Sequence, residues 1–265
     1  MPILNTSTGA NKHYVNKIFY KFRLNTLASN LNGCQLKKLN MIATIHVFGV
    51  NIMDGMLSHL EELLEAKNIF VRKRKKRRTR ALGILMYHYG LSLRKCRTIL
   101  SSFENISHES IRKWYHKTVA LFTVGKTYRE TIAVDETKLK INGKLHILWA
   151  AIDTSNWEIL GVWVSQGRAE IEAYSFLKYI LKRCTNQPKI LVDKGPWYKP
   201  AFNRLNVEWE HITFGLRNPI EQWFFLSKHR IKRFYRNWPY NTKLITVQNW
   251  LNCFVSMYHF TRCIS

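Results

Sequence analysis

The sequence predicts an α/β fold: a mixed sheet, built from an antiparallel three-strand meander plus parallel strands, flanked by helices and preceded by a small all-α region. Three observations predict it. After about Thr127 the apolar pattern changes from helical to strand spacing, and Asn142-Gly143 separates two β-rich runs. A segment of helical spacing, Ala169–Cys184, then leads into the short apolar run ending at Asp193, which implies a crossover and hence a parallel strand.

Taken in order, residues 1–70 carry no assigned chemistry. Met56–Phe70 reads as one amphipathic helix with Glu61, Glu62 and Glu65 on its polar side. Met41–Met53 fits either a strand or a short buried helix, and Asp54 before Gly55 reads as a turn residue. Residues 71–126 open with the run Arg72-Lys73-Arg74-Lys75-Lys76-Arg77-Arg78, inside an interval from Glu65 to Glu104 that has no acid. Two readings of this run stand, a solvated linker or a phosphate-binding segment that releases counterions.

From Ala81 a buried helix runs to near Gly90. Ser92 is placed to cap a second helix, and a third spans about Ser107 through Ala120, with Ile111, Trp114, Tyr115 and Thr118 on one stripe. Three short helices with tight links fit a helix-turn-helix, in which Ser110, Arg112 and Lys113 would face DNA. A plain three-helix bundle fits the same spacing.

Residues 127–240 form the predicted core. T-I-A-V-D-E-T-K-L-K-I, K-L-H-I-L-W-A-A-I and W-E-I-L-G-V-W-V-S are three meander strands, with turns at Asn142-Gly143 and Asp153–Asn156. A helix near Trp197, a short strand in W-E-H-I-T-F and a long helix from Asn218-Pro219 to about Arg236 follow. Residues 241–265 are expected to be a C-terminal helix packing on the core.

Composition narrows the function. Against 17 acids stand 42 Lys and Arg, a net charge of +25, so a polyanion is the natural partner. No apolar stretch approaches the roughly 18 residues of a membrane span, and Met1–Ser7 does not resemble a secretory signal. The expected location is therefore the cytoplasm, in association with the nucleoid, with DNA as partner and no membrane. The five cysteines form no C-x-x-C pair and no H-x-x-x-H encloses a glutamate, which argues against disulfides and zinc.

The chain has four aspartates. Asp54 and Asp153 sit in turn contexts. Asp135 lies inside a strand, where Asp is disfavoured, and Asp193 ends an apolar strand at the edge where ligands gather in open sheets. An edge-strand charge and a loop-starting Asp are the alternatives. Glu221 opens its helix, with Phe225, Lys228, Lys232 and Arg236 on nearly the same stripe, and Arg233 adds to the charge. A first-turn glutamate that merely favours the helix dipole would look the same.

V-D-E-T-K, L-V-D-K-G-P-W-Y and R-N-P-I-E-Q-W-F-F-L-S-K-H-R-I-K-R-F together resemble the catalytic segments of prokaryotic insertion-sequence transposases with a D-D-E triad, nearest the insertion-sequence-six group. The resemblance covers roughly residues 80–260. It implies a ribonuclease-H-like catalytic core with Asp135, Asp193 and Glu221 as triad and metal ligands, holding Mg²⁺ or Mn²⁺, two ions in all. It further implies cleavage at element ends, strand transfer into target DNA, and a homodimer or larger assembly on DNA. Lys194 beside Asp193, and Lys228, Lys232 and Arg233, join the basic run, Arg112 and Lys113 as DNA-binding candidates. Glu136 is expected on the face opposite Asp135. Two rivals stay open: a nuclease or integrase on the same core, and a DNA-binding protein without activity.

Overall fold

The computed structural model describes residues 54–71, 74–193, 195–212, 215, 218–234, 238 and 241–263. The chain separates into two compact units, Met1–Gly55 and Met56–Ser265. All described elements belong to the second unit, apart from the first residues of α1. The expectation for Met41–Met53 falls outside the described residues.

Helix α1 covers residues 54–66, so Asp54 begins a helix rather than making a turn. An acid there faces the positive end of the helix dipole, which a turn reading overlooks. Helices α2 (Arg77–His88), α3 (Leu93–Leu100) and α4 (His108–Lys117) follow. Ser92 accepts the Lys95 N–H and Ser107 the Ser110 N–H, satisfying donors that the first turns of α3 and α4 leave open. Beyond α4 the chain tightens into a 3₁₀ turn, Thr118–Leu121.

The sheet contains β1 (Thr131–Ile141), β2 (Lys144–Asp153), β3 (Ile159–Ser165), β4 (Lys189–Val192) and β5 (Trp209–His211). Helix α5 (Glu170–Leu181) joins β3 to β4, and α6 (Tyr198–Leu205) joins β4 to β5. Helices α7 (Asn218–Lys232) and α8 (Leu244–Arg262) complete the fold. The strand order is β3-β2-β1-β4-β5, with β1, β2 and β3 antiparallel and β4 and β5 parallel to β1. That is the ribonuclease-H-like mixed sheet expected. The hairpin turns where Asn142 and Gly143 take φ of 47° and 82°, the left-handed pair such a two-residue turn demands.

β1 is central, so Asp135 is no edge-strand charge. The edges are β3 and β5, and part of the β3 backbone is engaged: Gln248 of α8 accepts the Val164 N–H and donates to the Val162 carbonyl, both at 2.9 Å. That stretch of edge is closed to further strand pairing.

Strand alternation divides the core. One face, with Ala133, Leu148, Ala150 and Leu191, packs in a continuous apolar cluster with Ile220 and Trp223 of α7, Trp250 and Phe254 of α8, and the buried residues of α1 to α4. The other face, with Ile132, Val134, Trp149, Ile190 and Val192, lies under Phe176 and Ile180 of α5 and Tyr198 and Phe202 of α6. The small helices therefore share a core with the sheet.

Helix α7 stops at Lys232, short of the predicted Arg236. The N–H groups of Arg233 and Phe234 turn back to the carbonyls of Arg230 and Ile231, a tightened last turn, and Arg236 lies outside the described residues. Cys96, Cys184 and Cys253 are free and buried as expected, while Cys263 is free and exposed.

Candidate active site

The parallel register of β1 and β4 pairs Thr131 with Lys189, Ile132 with Ile190 and Ala133 with Leu191. The last paired residues, Ala133 and Leu191, stand two positions before Asp135 and Asp193. Because side chains alternate along a strand, the Asp135 carboxylate points to the face of Ala133, while Asp193 lies just past the end of β4. Helix α7, which begins with Glu221 in its first turn, packs on β1 and β2 at that same face through Ile220, Trp223 and Phe224.

Asp135 is half-buried, and its Oδ1 accepts the Glu136 N–H at 2.8 Å. The Asp193 side chain is 58% exposed, with His211 Nε2 of β5 at 3.5 Å from its Oδ1. Glu221 is exposed. Among the described residues no three His, Cys, Asp or Glu side chains stand close enough to hold a metal ion together. The structure thus has the two aspartates on neighbouring strands, Asp135 within β1 and Asp193 just past β4, and among the described residues does not draw Glu221 into a closed cluster with them. Like charges resist such closure unless a cation offsets them.

Glu136 points to the opposite face, as alternation predicted. Its Oε2 accepts a hydrogen bond from Tyr198 Oη at 2.5 Å, and its Oε1 lies 3.4 Å from Arg168. Burial pushes its carboxyl above the usual range, against the pull of the Tyr198 hydrogen bond, and the Asp135 charge adds to the rise. Burial, with the Glu136 charge, also holds the Tyr198 phenol well above its ordinary value, so the tyrosine is the donor.

The DNA-binding candidates divide. Lys113, Lys228 and Lys232 are exposed. Arg112 is held by Glu109 in a forked contact, with bonds from 2.6 to 3.1 Å. Arg233 donates to the Tyr89 carbonyl, so it joins α7 to the end of α2. Of the basic run, Arg74 is exposed, and Lys76 is exposed with its backbone N–H on Glu104. Lys75 pairs with Glu104, Arg77 with Glu65, and Arg78 with Glu61 at 3.9 Å. The run is therefore no free linker from Lys75 onward, because it turns into the first turn of α2 against three carboxylates. Arg72, Lys73 and Lys194 lie outside the described residues. Lys138 and Lys140 alternate with buried Leu139 and Ile141, so they lie on the Glu136 side of β1, away from the Asp135 face.

Sequence reasoning missed His211 beside Asp193, because only the parallel pairing of Val192 with His211 brings β5 there. It also missed Arg230. Arg230 is 5% exposed and caps the carbonyls of Tyr87 and His88 at the end of α2.

By strand order the molecule is a ribonuclease-H-like α/β protein, with Asp135 inside the central strand and Asp193 just past the end of the neighbouring parallel strand. The family described as DDE domain, of the IS240 transposase type, matches residues 129–259. The uncharacterized protein MJ0017 of Methanocaldococcus jannaschii is 41% identical over 207 residues, covering 78% of this chain and 97% of that protein. The transposase for insertion sequence element IS257 in transposon Tn4003 of Staphylococcus aureus is 29% identical over 133 residues, covering 48% of this chain and 58% of that protein. Among solved structures, the HTLV-2 integrase catalytic core domain in complex with magnesium has a TM-score of 0.36 at 20% identity, over 49% of this chain and 85% of that one. The chain belongs to one family with MJ0017, and about half of it, residues 129–259, matches a DDE domain.

Proposed function

We propose that this chain is a DNA transposase that cleaves at the ends of its insertion sequence and transfers the strands into target DNA, with Asp135, Asp193 and Glu221 as its catalytic triad. The observation that carries the reading is the parallel pairing of β1 with β4, which runs to two residues before Asp135 and Asp193 and so supports their lying near one another on adjacent strands. The donor set fits a hard divalent cation, because it is built from carboxylate oxygens, the ligands that Mg²⁺ and Mn²⁺ prefer. When bound, a pair of such ions supplies activation of the attacking oxygen and charge stabilisation on the leaving one.

The chain's own groups do the rest. Asp135 is held in one orientation by the Glu136 N–H, and Asp193 ends its strand where backbone hydrogen bonding still fixes the turn. Glu221 is exposed in the first turn of α7, the helix that packs on the Ala133 face of β1. Lys228 and Lys232, about two and about three turns further along α7, offer phosphate contacts that hold the DNA without reading its sequence. Joining two element ends to one target requires a homodimer or larger assembly on DNA.

The test is cleavage and strand transfer on end-containing DNA with Mg²⁺ or Mn²⁺, comparing the parent with Asp135→Asn and Asp193→Asn. Each substitution is expected to lower the rate by about a thousandfold or more, since metal-assisted charge stabilisation amounts to several kcal/mol. Wild-type cutting by both variants would sink the assignment. A parent that binds DNA but never cuts would favour a DNA-binding protein without activity.

A further inference from the structure

Glu136 adjoins Asp135 yet faces away from it, and its surroundings are unusually complete. Its side chain is 9% exposed, its Oε2 takes a 2.5 Å hydrogen bond from Tyr198 Oη, and its Oε1 faces Arg168 at 3.4 Å. Tyr198 is itself 2% exposed, stacked on Phe202 and set edge-on to Trp149, so its hydroxyl has little freedom. Arg168 lies over the Trp197 ring at 3.9 Å, which clamps the residue just before Tyr198 as well.

The backbone closes the arrangement. Asp193 O accepts the Gly195 N–H at 2.8 Å, and Gly195 O accepts the Tyr198 N–H at 3.2 Å. A side chain at position 195 would meet the Trp197 indole at 2.6 Å, so the turn is compact enough to require glycine there. A circuit of hydrogen bonds therefore runs from the Asp193 backbone through the turn to Tyr198, across to Glu136, and through the Glu136 N–H to Asp135 Oδ1.

We infer that Glu136 and Tyr198 are positioning residues that fix the spacing of Asp135 and Asp193 from the far side of the sheet, with Arg168 holding both ends of the clamp. Glu136 is not a ligand in this arrangement: its two oxygens are engaged by Tyr198 and Arg168 on the face opposite Asp135. The inference rests on the D-D-E reading of the site. Its consequence is that breaking the clamp loosens the metal pair's ligands without removing any of them, so affinity for the ion falls while chemistry at saturating ion persists.

The experiment measures Mn²⁺ binding to the full chain by electron paramagnetic resonance, the Mg²⁺ concentration for half-maximal cleavage, and the melting temperature. The variants are Tyr198→Phe, Glu136→Gln, their double, and Arg168→Gln. Tyr198→Phe is expected to weaken Mn²⁺ binding about tenfold, the usual effect of losing a group that orients a ligand. The Mg²⁺ requirement should rise by the same factor, with the rate at saturating Mg²⁺ within about twofold of the parent. The double variant should be no worse than the more impaired single one. Arg168→Gln, at a side chain 39% exposed and so safe for folding, should move affinity in the same direction. Loss of Mn²⁺ binding in Glu136→Gln alone, with Tyr198→Phe unaffected, would make Glu136 a ligand and overturn the inference. Unchanged affinity in all four would reduce the cluster to packing. If Asp135→Asn and Asp193→Asn leave Mn²⁺ binding intact, the site reading itself fails, a result separable from the others because it appears in those two variants.

Discussion

Arg129 shows how much a single side chain settles. It is 2% exposed and donates to Asp153 at 2.7 Å, while Glu158 lies 2.8 Å away on its other arm. Asp153 also accepts the Ser155 N–H and hydroxyl, so the turn reading of its sequence is right but partial. Removing one partner of a buried ion pair leaves the other charged and unsolvated, so Arg129→Met should lower stability by about 3–5 kcal/mol. Urea unfolding checks it, with the midpoint falling and the slope unchanged; a loss under about 1 kcal/mol would mean water reaches the pair. Nothing local in the sequence marks this triad, since Arg129 precedes the first strand and its partners lie a hairpin away. Asp135 and Asp193 were legible for the opposite reason: each breaks an apolar strand, a conflict visible within five residues. Tyr198 and His211 were not legible, because their meaning comes from strands paired across a crossover.

Elements were read well where the signal is local and poorly where a tertiary contact decides. The Asn142-Gly143 hairpin, the Ser92 cap and the start of α4 near Ser107 follow from residues within one or two turns of each other. The end of α7 does not. Arg230 of that helix and Arg233 just beyond it donate to the carbonyls of Tyr87, His88 and Tyr89 at the end of α2 and its cap, where helix carbonyls run out of intrahelical partners. The Arg230 guanidinium also lies over the rings of Tyr87, Phe234 and Trp250. The helix that opens with Glu221 is thereby tied to the first of the three small helices. Arg230→Met keeps the bulk and removes the donors, leaving the His88 carbonyl without its guanidinium and the Tyr87 carbonyl with the Gly90 N–H alone, so it should cost about 1–3 kcal/mol. Thermal unfolding should show a lower midpoint with one transition. Two separate transitions would mean that the small helices and the sheet fold independently, contrary to their shared core.

At the scale of the whole molecule the sign of the charge was legible and its pairing was not. A net +25 directs the chain toward a polyanion, yet Glu61, Glu65 and Glu104 already engage part of the basic run, contacts that the charge count alone hides. Acid sensitivity follows from buried histidines instead. His88 faces Tyr115 Oη at 3.2 Å, and burial, with the Arg230 charge, lowers its pKa to about 3. His259 stacks on Phe122 and faces the Ile159 carbonyl; burial lowers its pKa to about 4, although that carbonyl acts the other way. Both are neutral in the fold and take a proton near the ordinary histidine value once unfolded. Their contribution is therefore complete above about pH 6.5 and is lost as pH falls through the folded values. Between about pH 6 and pH 4 the unfolded chain binds up to two more protons than the folded one at these positions, a slope of about 1.4 kcal/mol per pH unit for each. Glu136, with its carboxyl raised by burial, binds its proton earlier in the fold and offsets part of the slope at its lower end. Urea unfolding at pH 7, 6 and 5 should give steadily falling stability, and His259→Gln, which keeps a donor for Ile159, should remove about half of the slope. A profile flat over that range would mean that both imidazoles are protonated in the fold, and would overturn their reading as buried neutral groups.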